Sequence, residues 1–250
     1  MIWQCIPEPV ERIWGALPPV REEGEPIGEI WLFSDGNFAV NPSGEKRLLN
    51  SFFGGRVPVI LKTLHASRDL SVQVHPGLDG SDPRKDESWA VLSGCGRIYH
   101  GIKDGASPDR FAAAVRDGTV EKLLLNYSAK PGDLFHLPAG TVHALGGGLT
   151  VLEAQLNCTV TYRLWDYGRP RELHVEQGLQ VINWSNQGRA EKVTELPLGT
   201  GDYAIRKAVF GTNQMDSMEI AYDHHTGKCF FFPEGGSVLL SGESWIVRIL

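Results

Sequence analysis

The sequence predicts a mainly β protein: two related antiparallel barrels, the second one reduced, with a small helical insert. Three observations point there. Short apolar or alternating segments recur along the 250 residues, separated by turns that draw on 29 Gly and 15 Pro. Only one stretch, at about 105–127, carries helix signals. The segment Gly132-Asp-Leu-Phe-His-Leu-Pro-Ala-Gly-Thr-Val-His143 is also echoed without a gap by Gly227-Lys-Cys-Phe-Phe-Phe-Pro-Glu-Gly-Gly-Ser-Val238. The echo aligns Pro138 with Pro233 and Gly140 with Gly235, and a strand-like run follows each.

Taken in order, Ile27–Asp35 reads as a strand ending in a turn, and Val57–Leu64 as an apolar strand. Asp69–His75 alternates with period two, so Gln73 and His75 share a face. Ser88–Ser93 and Gly96–Gly101 continue the rhythm. Ser107 then offers an N-cap, Pro108 the first helical position and Asp109 an acidic first turn. Phe111, Ala114 and Val115 recur at helical spacing until Gly118 stops the helix. A second short helix, capped by Thr119, is expected to run to about Leu125. Strands resume at Leu134–Leu137, Leu149–Gln155 and Thr159–Trp165. Residues 171–202 read as a polar linker, dividing a barrel over 1–170 from the reduced one over 203–250.

The formal charge of −6 argues against a nucleic-acid partner. No apolar run approaches the roughly 20 residues of a membrane span, and the N-terminal residues lack the pattern of a signal peptide. Cysteines at 5, 95, 158 and 229 form no CxxC pair, which fits reduced thiols in a cytoplasmic protein. The seven Trp residues read as core.

Chemistry concentrates in four residues. Gln73 and His75 lie on one strand face, Glu87 opens the next strand, and His143 follows the Pro-Ala-Gly turn. Strand pairing within one barrel brings together two imidazoles, a carboxylate and an amide oxygen, a set suited to Zn²⁺, with Fe²⁺ or Mn²⁺ as alternatives. His65, His100, His136, His174, His224 and His225 read as structural, and the second copy of the echo places Val238 where His143 stands.

The spacing of these residues resembles the two motifs of the cupins: Gln-x-His, then Glu87 and, seven positions on, Gly94; then Gly132, Pro138-Ala-Gly140 and His143. Leu70–Pro76, Lys85–Trp89, Pro138–Leu145 and Thr161–Arg169 together resemble type I mannose-6-phosphate isomerase. Trp14-Gly15 and Ile27-Gly-Glu29 also fit that family's opening. The resemblance implies zinc-dependent interconversion of mannose 6-phosphate and fructose 6-phosphate through an enediol. It implies metal ligands at Gln73, His75, Glu87 and His143, active-site roles for Lys85, Glu153 and Arg163, and a substrate-phosphate contact at Ser71. The general base is left open between Lys85 and Glu153. The chain is short for the family, with an abbreviated insert and a trimmed second barrel, and the partner implied is a small sugar phosphate, on a monomer or homodimer. A cupin that binds a sugar or sugar phosphate without turnover is the alternative. An Fe²⁺ dioxygenase fits less well, because Gln73 stands where many cupins place a His.

Overall fold

A computed structural model describes residues 1–20, 22–77, 84–186 and 192–250. It is mainly β with antiparallel sheets, as the turn-punctuated sequence predicts. The chain divides into two compact units, each discontinuous in sequence.

One unit comprises Glu11–Gly28 and Leu64–Lys192. Its five-stranded sheet runs in the order Leu124–Ala129, Gly96–Ile102, His143–Leu145, Val72–Val74, Tyr162–Trp165. A second ladder pairs Leu134–Leu137 with Glu87–Gly94 and the latter with Leu149–Leu156. The period of two then sorts side chains by face. Val72, Val74, Tyr99, Ala144 and Leu164 pack with Phe111, Ala114 and Val115 of helix α1 (Pro108–Arg116) in one core cluster. Leu179 of helix α2 (Val175–Val181) packs against the same cluster. Trp89, Val91, Ile98, Phe135, Leu145 and Val151 form a second cluster on the opposite face. Gln73, Glu87, His143, Glu153 and Arg163 alternate onto this second face, so the core pattern itself aims them inward.

Helix α1 follows its signals: the Ser107 hydroxyl accepts from Arg110 N, and the three apolar residues are buried. The second helix needs correction. Val120–Leu123 is a short 3₁₀ turn, and Thr119 makes no side-chain capping bond. Leu124, fully buried, already starts the strand that pairs with Gly96–Ile102, and that ladder ends the helical turn early. Part of the expected linker, 187–191, lies outside the described residues, and another part forms α2. Gly178 lets α2 sit directly on Leu164, whose side chain occupies the place a Cβ would take.

The other unit comprises Met1–Val10, Glu29–Thr63 and Val193–Leu250. Its eight-stranded sheet places Trp3–Cys5 between Lys228–Phe232 and Phe38–Val40. Ala208, Met215, Phe232, Val238, Leu240 and Ile246 form its core, and Trp3, Phe33, Phe52 and Phe231 meet edge to face nearby. The expected division followed chain order, whereas these contacts group the first strands with the C-terminal ones. The turn glycines aligned by the echo, Gly140 and Gly235, both take positive φ, 81° and 78°.

Candidate metal centre and active site

Six of the eight predicted site residues form one connected cluster, buried except for the half-buried Gln73. His143 lies directly across from Gln73 on the neighbouring strand, and its Nε2 stands 3.2 Å from Gln73 Nε2. The Ser71 hydroxyl donates to Gln73 Oε1 at 3.4 Å. Glu87, fully buried, lies between the two imidazoles: His143 Nε2 is 3.0 Å from Oε1 and His75 Nε2 is 3.3 Å from Oε2. Lys85 Nζ stands 2.8 Å from Glu87 Oε2 and 3.0 Å from His75 Nε2. Ligand atoms of His75, Glu87 and His143 all lie within 4.8 Å of one another.

The imidazoles are oriented from behind. His75 Nδ1 is 3.0 Å from the Val160 carbonyl and His143 Nδ1 is 2.8 Å from that of Thr141. A ring nitrogen facing a carbonyl must carry the proton, which leaves each Nε2 with its lone pair turned toward Glu87. Neither Glu87 oxygen receives a hydrogen bond of good geometry, despite three nitrogens at 2.8–3.3 Å. The Lys85 ammonium meets Glu87 Oε2 and His75 Nε2 from one side, while the His143 lone pair and Glu87 Oε1 face each other with no proton between them, an arrangement that a further cation would satisfy. The donor set therefore fits a divalent metal. Gln73 can join it once its amide turns over, which brings Oε1 to the side that faces His143 Nε2.

Charge states agree with that fit. Burial, with the Lys85 ammonium, pushes the His75 pKa down to about 3, so its ring is neutral at pH 7. For Glu87 burial acts upward, but the Lys85 ammonium against it outweighs that and holds the carboxyl well below its usual range. Neutral imidazole and ionised carboxylate are the forms that bind metals.

Glu153 and Arg163 join the same face at one remove. Glu153 lies across from Trp89, whose indole N–H donates to its Oε2 at 2.9 Å, and the Trp89 ring meets His143 edge-on at 5.3 Å. Arg163 lies across from Gln73 and donates from Nη1 to the Glu172 carbonyl at 2.8 Å. His136 points to the other face, bonded to Ser88 Oγ at 2.9 Å, which matches its structural reading. His100 is different: it lies across from His143, buried, with Nδ1 unpartnered. Sequence reasoning also missed Asp86, which accepts from Ala139 N at 2.8 Å and ties the Pro-Ala-Gly turn to the Lys85–Glu87 segment. Only its place between Lys85 and Glu87 could have flagged it.

No family model matches the chain. Among curated proteins, ManA of Bacillus subtilis, a mannose-6-phosphate isomerase, is 33% identical, over 69% of this chain and 65% of its own length. GmuF of the same organism, named a probable mannose-6-phosphate isomerase, is 34% identical, over 70% of this chain and 67% of its own.

The chain belongs to the mannose-6-phosphate isomerase family.

The aligned region spans about two thirds of these family relatives' length. Among solved structures, a mannose 6-phosphate isomerase from Bacillus subtilis matches with a TM-score of 0.77 at 22% identity, over 99% of both chains. A zinc-bound mannose 6-phosphate isomerase matches with a TM-score of 0.72 at 14% identity, also over 99% of both. At these identities the structures establish the shared cupin fold.

Proposed function

We propose that this protein is a metal-dependent aldose–ketose isomerase that interconverts mannose 6-phosphate and fructose 6-phosphate through an enediol. The observation that carries this reading is the buried His75–Glu87–His143 triad with the Lys85 ammonium packed against it. Similarity to the mannose-6-phosphate isomerases supports mannose 6-phosphate as the substrate. Gln73, His75, Glu87 and His143 would hold the metal, Zn²⁺ first, with Fe²⁺ or Mn²⁺ as alternatives. When bound, the metal supplies positive charge for substrate oxygens that become anionic in the transition state.

The remaining steps belong to the chain's own side chains. One proton must leave C2 and arrive at C1 while another passes from O2 to O1, so the carrier must lie within reach of both carbons. Lys85 and Glu153 are the two acid–base groups for this task. Lys85 touches the triad directly, and Glu153 is held by Trp89. Arg163 faces the charge that develops on the sugar oxygen with a fixed fork of donors. Ser71, whose hydroxyl reaches the Gln73 amide, contributes to holding the phosphate end. A cytoplasmic location and a monomeric or homodimeric state belong to the same proposal. Among the described residues, no helix is long and apolar enough to cross a membrane.

The deciding experiment follows fructose 6-phosphate formed from mannose 6-phosphate by metal-loaded protein, with a chelator-treated control. Metal-dependent turnover is the expected result, and Lys85→Ala should lose turnover while keeping its metal. Bound metal with no turnover on this substrate would overturn the isomerase reading in favour of a sugar-phosphate-binding cupin.

A further inference from the structure

Just beyond Arg163 the chain makes a tight loop around a single buried carboxylate. Asp166 is 2% exposed and receives four side-chain hydrogen bonds from two arginines. Arg169 donates to its Oδ1 from Nε at 3.1 Å and Nη2 at 2.6 Å. Arg171 donates from Nε to Oδ2 at 2.7 Å and from Nη2 to Oδ1 at 2.6 Å. The backbone closes the same way: Arg169 N donates to the Asp166 carbonyl at 3.0 Å and Arg171 N to that of Arg169 at 2.8 Å. The residue after this clamp is Glu172, whose carbonyl accepts from Arg163 Nη1 at 2.8 Å. Two residues further on, His174 N donates to the Arg163 carbonyl at 2.7 Å.

The loop therefore returns to the residue that launched it. One end of the Arg163 guanidinium is held by a backbone carbonyl, while its buried Nε has no hydrogen-bond partner. We propose that Asp166 is a positioning residue for the isomerase reaction, fixing the loop that aims the Arg163 guanidinium at the sugar oxygen. This rests on the role given to Arg163 above. Asp166 touches neither substrate nor metal ligand in this scheme. It acts by keeping two guanidiniums in one arrangement, so that Glu172 presents its carbonyl at a fixed place. An Asn of the same shape would turn an NH₂ group toward a guanidinium and break the clamp.

The test is a double-mutant cycle on metal-loaded protein with Asp166→Asn, Arg163→Gln and the pair, reading kcat/KM for mannose 6-phosphate. In the wild-type background Asp166→Asn should lower kcat/KM at least about tenfold with metal content unchanged, the scale of a displaced catalytic group. In the Arg163→Gln background the same change should cost less than about twofold, because the group it positions is gone. Equal losses in both backgrounds would overturn the proposal, since Asp166 would then act without Arg163. Asp166→Glu should recover part of the loss. If Asp166→Asn does not fold, Arg171→Gln, which removes one arm of the clamp, takes its place in the cycle. Inactive wild-type protein would instead sink the isomerase reading. The cycle is then read on the Kd for fructose 6-phosphate under the same criterion, so the two failures stay distinct.

Discussion

The proton on each imidazole is set by a carbonyl that no side-chain motif can reveal. His75 and His143 were legible in the sequence because period two and a Pro-Ala-Gly turn place them beside Gln73 and Glu87. Their anchors, the carbonyls of Val160 and Thr141, were not, because every residue carries a carbonyl and only the fold selects one. For Asp166, a hairpin pairing with Arg163 or Arg169 is readable from the sequence, but that Arg169 and Arg171 share its carboxylate is a property of the folded loop that no spacing announces. His143→Ala should abolish metal uptake, measured by elemental analysis after dialysis, together with turnover. His136→Ala should spare both, since that ring lies on the opposite face against Ser88. Equal metal loss in the two variants would mean that the inward face has been wrongly assigned.

Local signals decided the elements wherever one segment carried the whole message. Helix α1 formed over the residues announced by Ser107, Pro108 and the Phe111–Ala114–Val115 spacing. The strand Leu124–Ala129 was hidden, because its pairing with Gly96–Ile102 overrides a helical pattern in the residues before it. Two tight turns make sharper tests. Gly94 takes φ 87°, and a Cβ there would fall on the Gly148 carbonyl oxygen. Gly94→Ala should cost more than about 2 kcal/mol, seen as a fall of roughly 4–8 °C in Tm, and an unchanged Tm would show that this turn can relax. At the turn after Glu219–Asp223, the buried Asp223 carboxylate accepts from the backbone N–H of Ser241, His225 and Thr226 at 2.8, 3.0 and 3.3 Å. Burial acts upward on its pKa, but these donors win and hold it below the ordinary value. Its contribution is therefore complete above the unfolded pKa near 4 and fades as pH falls through the lower folded one. Asp223→Asn should destabilise by about 1–3 kcal/mol at pH 7. The gap should narrow toward pH 2 in denaturant melts, and a constant gap would contradict this account.

At the scale of the whole molecule, the mainly β character was open to view, while the grouping of strands was not. Alternation says that a segment is a strand and which face is apolar, but it does not say which distant strand will lie beside it. Trp3–Cys5 carries no mark that it belongs next to Lys228–Phe232, so a division in chain order was the natural reading. A metal held by His75, Glu87 and His143 ties the residue after Val72–Val74 to the first residues of two other strands, and ligand bound only to the folded state raises stability by mass action. Zn²⁺ at about a hundred times its Kd should add about 2.7 kcal/mol, visible as a Tm several degrees higher than after chelation. His143→Ala should show no such difference, and a zinc shift retained in that variant would place the metal elsewhere.

That same N-terminal strand has a consequence for how the chain is made. Its partner Lys228–Phe232 leaves the ribosome roughly 230 residues later, which at about 5–20 residues per second is a wait of some 10–45 s. Throughout that interval Trp3 and the apolar edge around it stand without the neighbour that will cover them. Translation that stalls before residue 228 would release a polypeptide with an open β edge, the kind of species that chaperones capture and proteases clear.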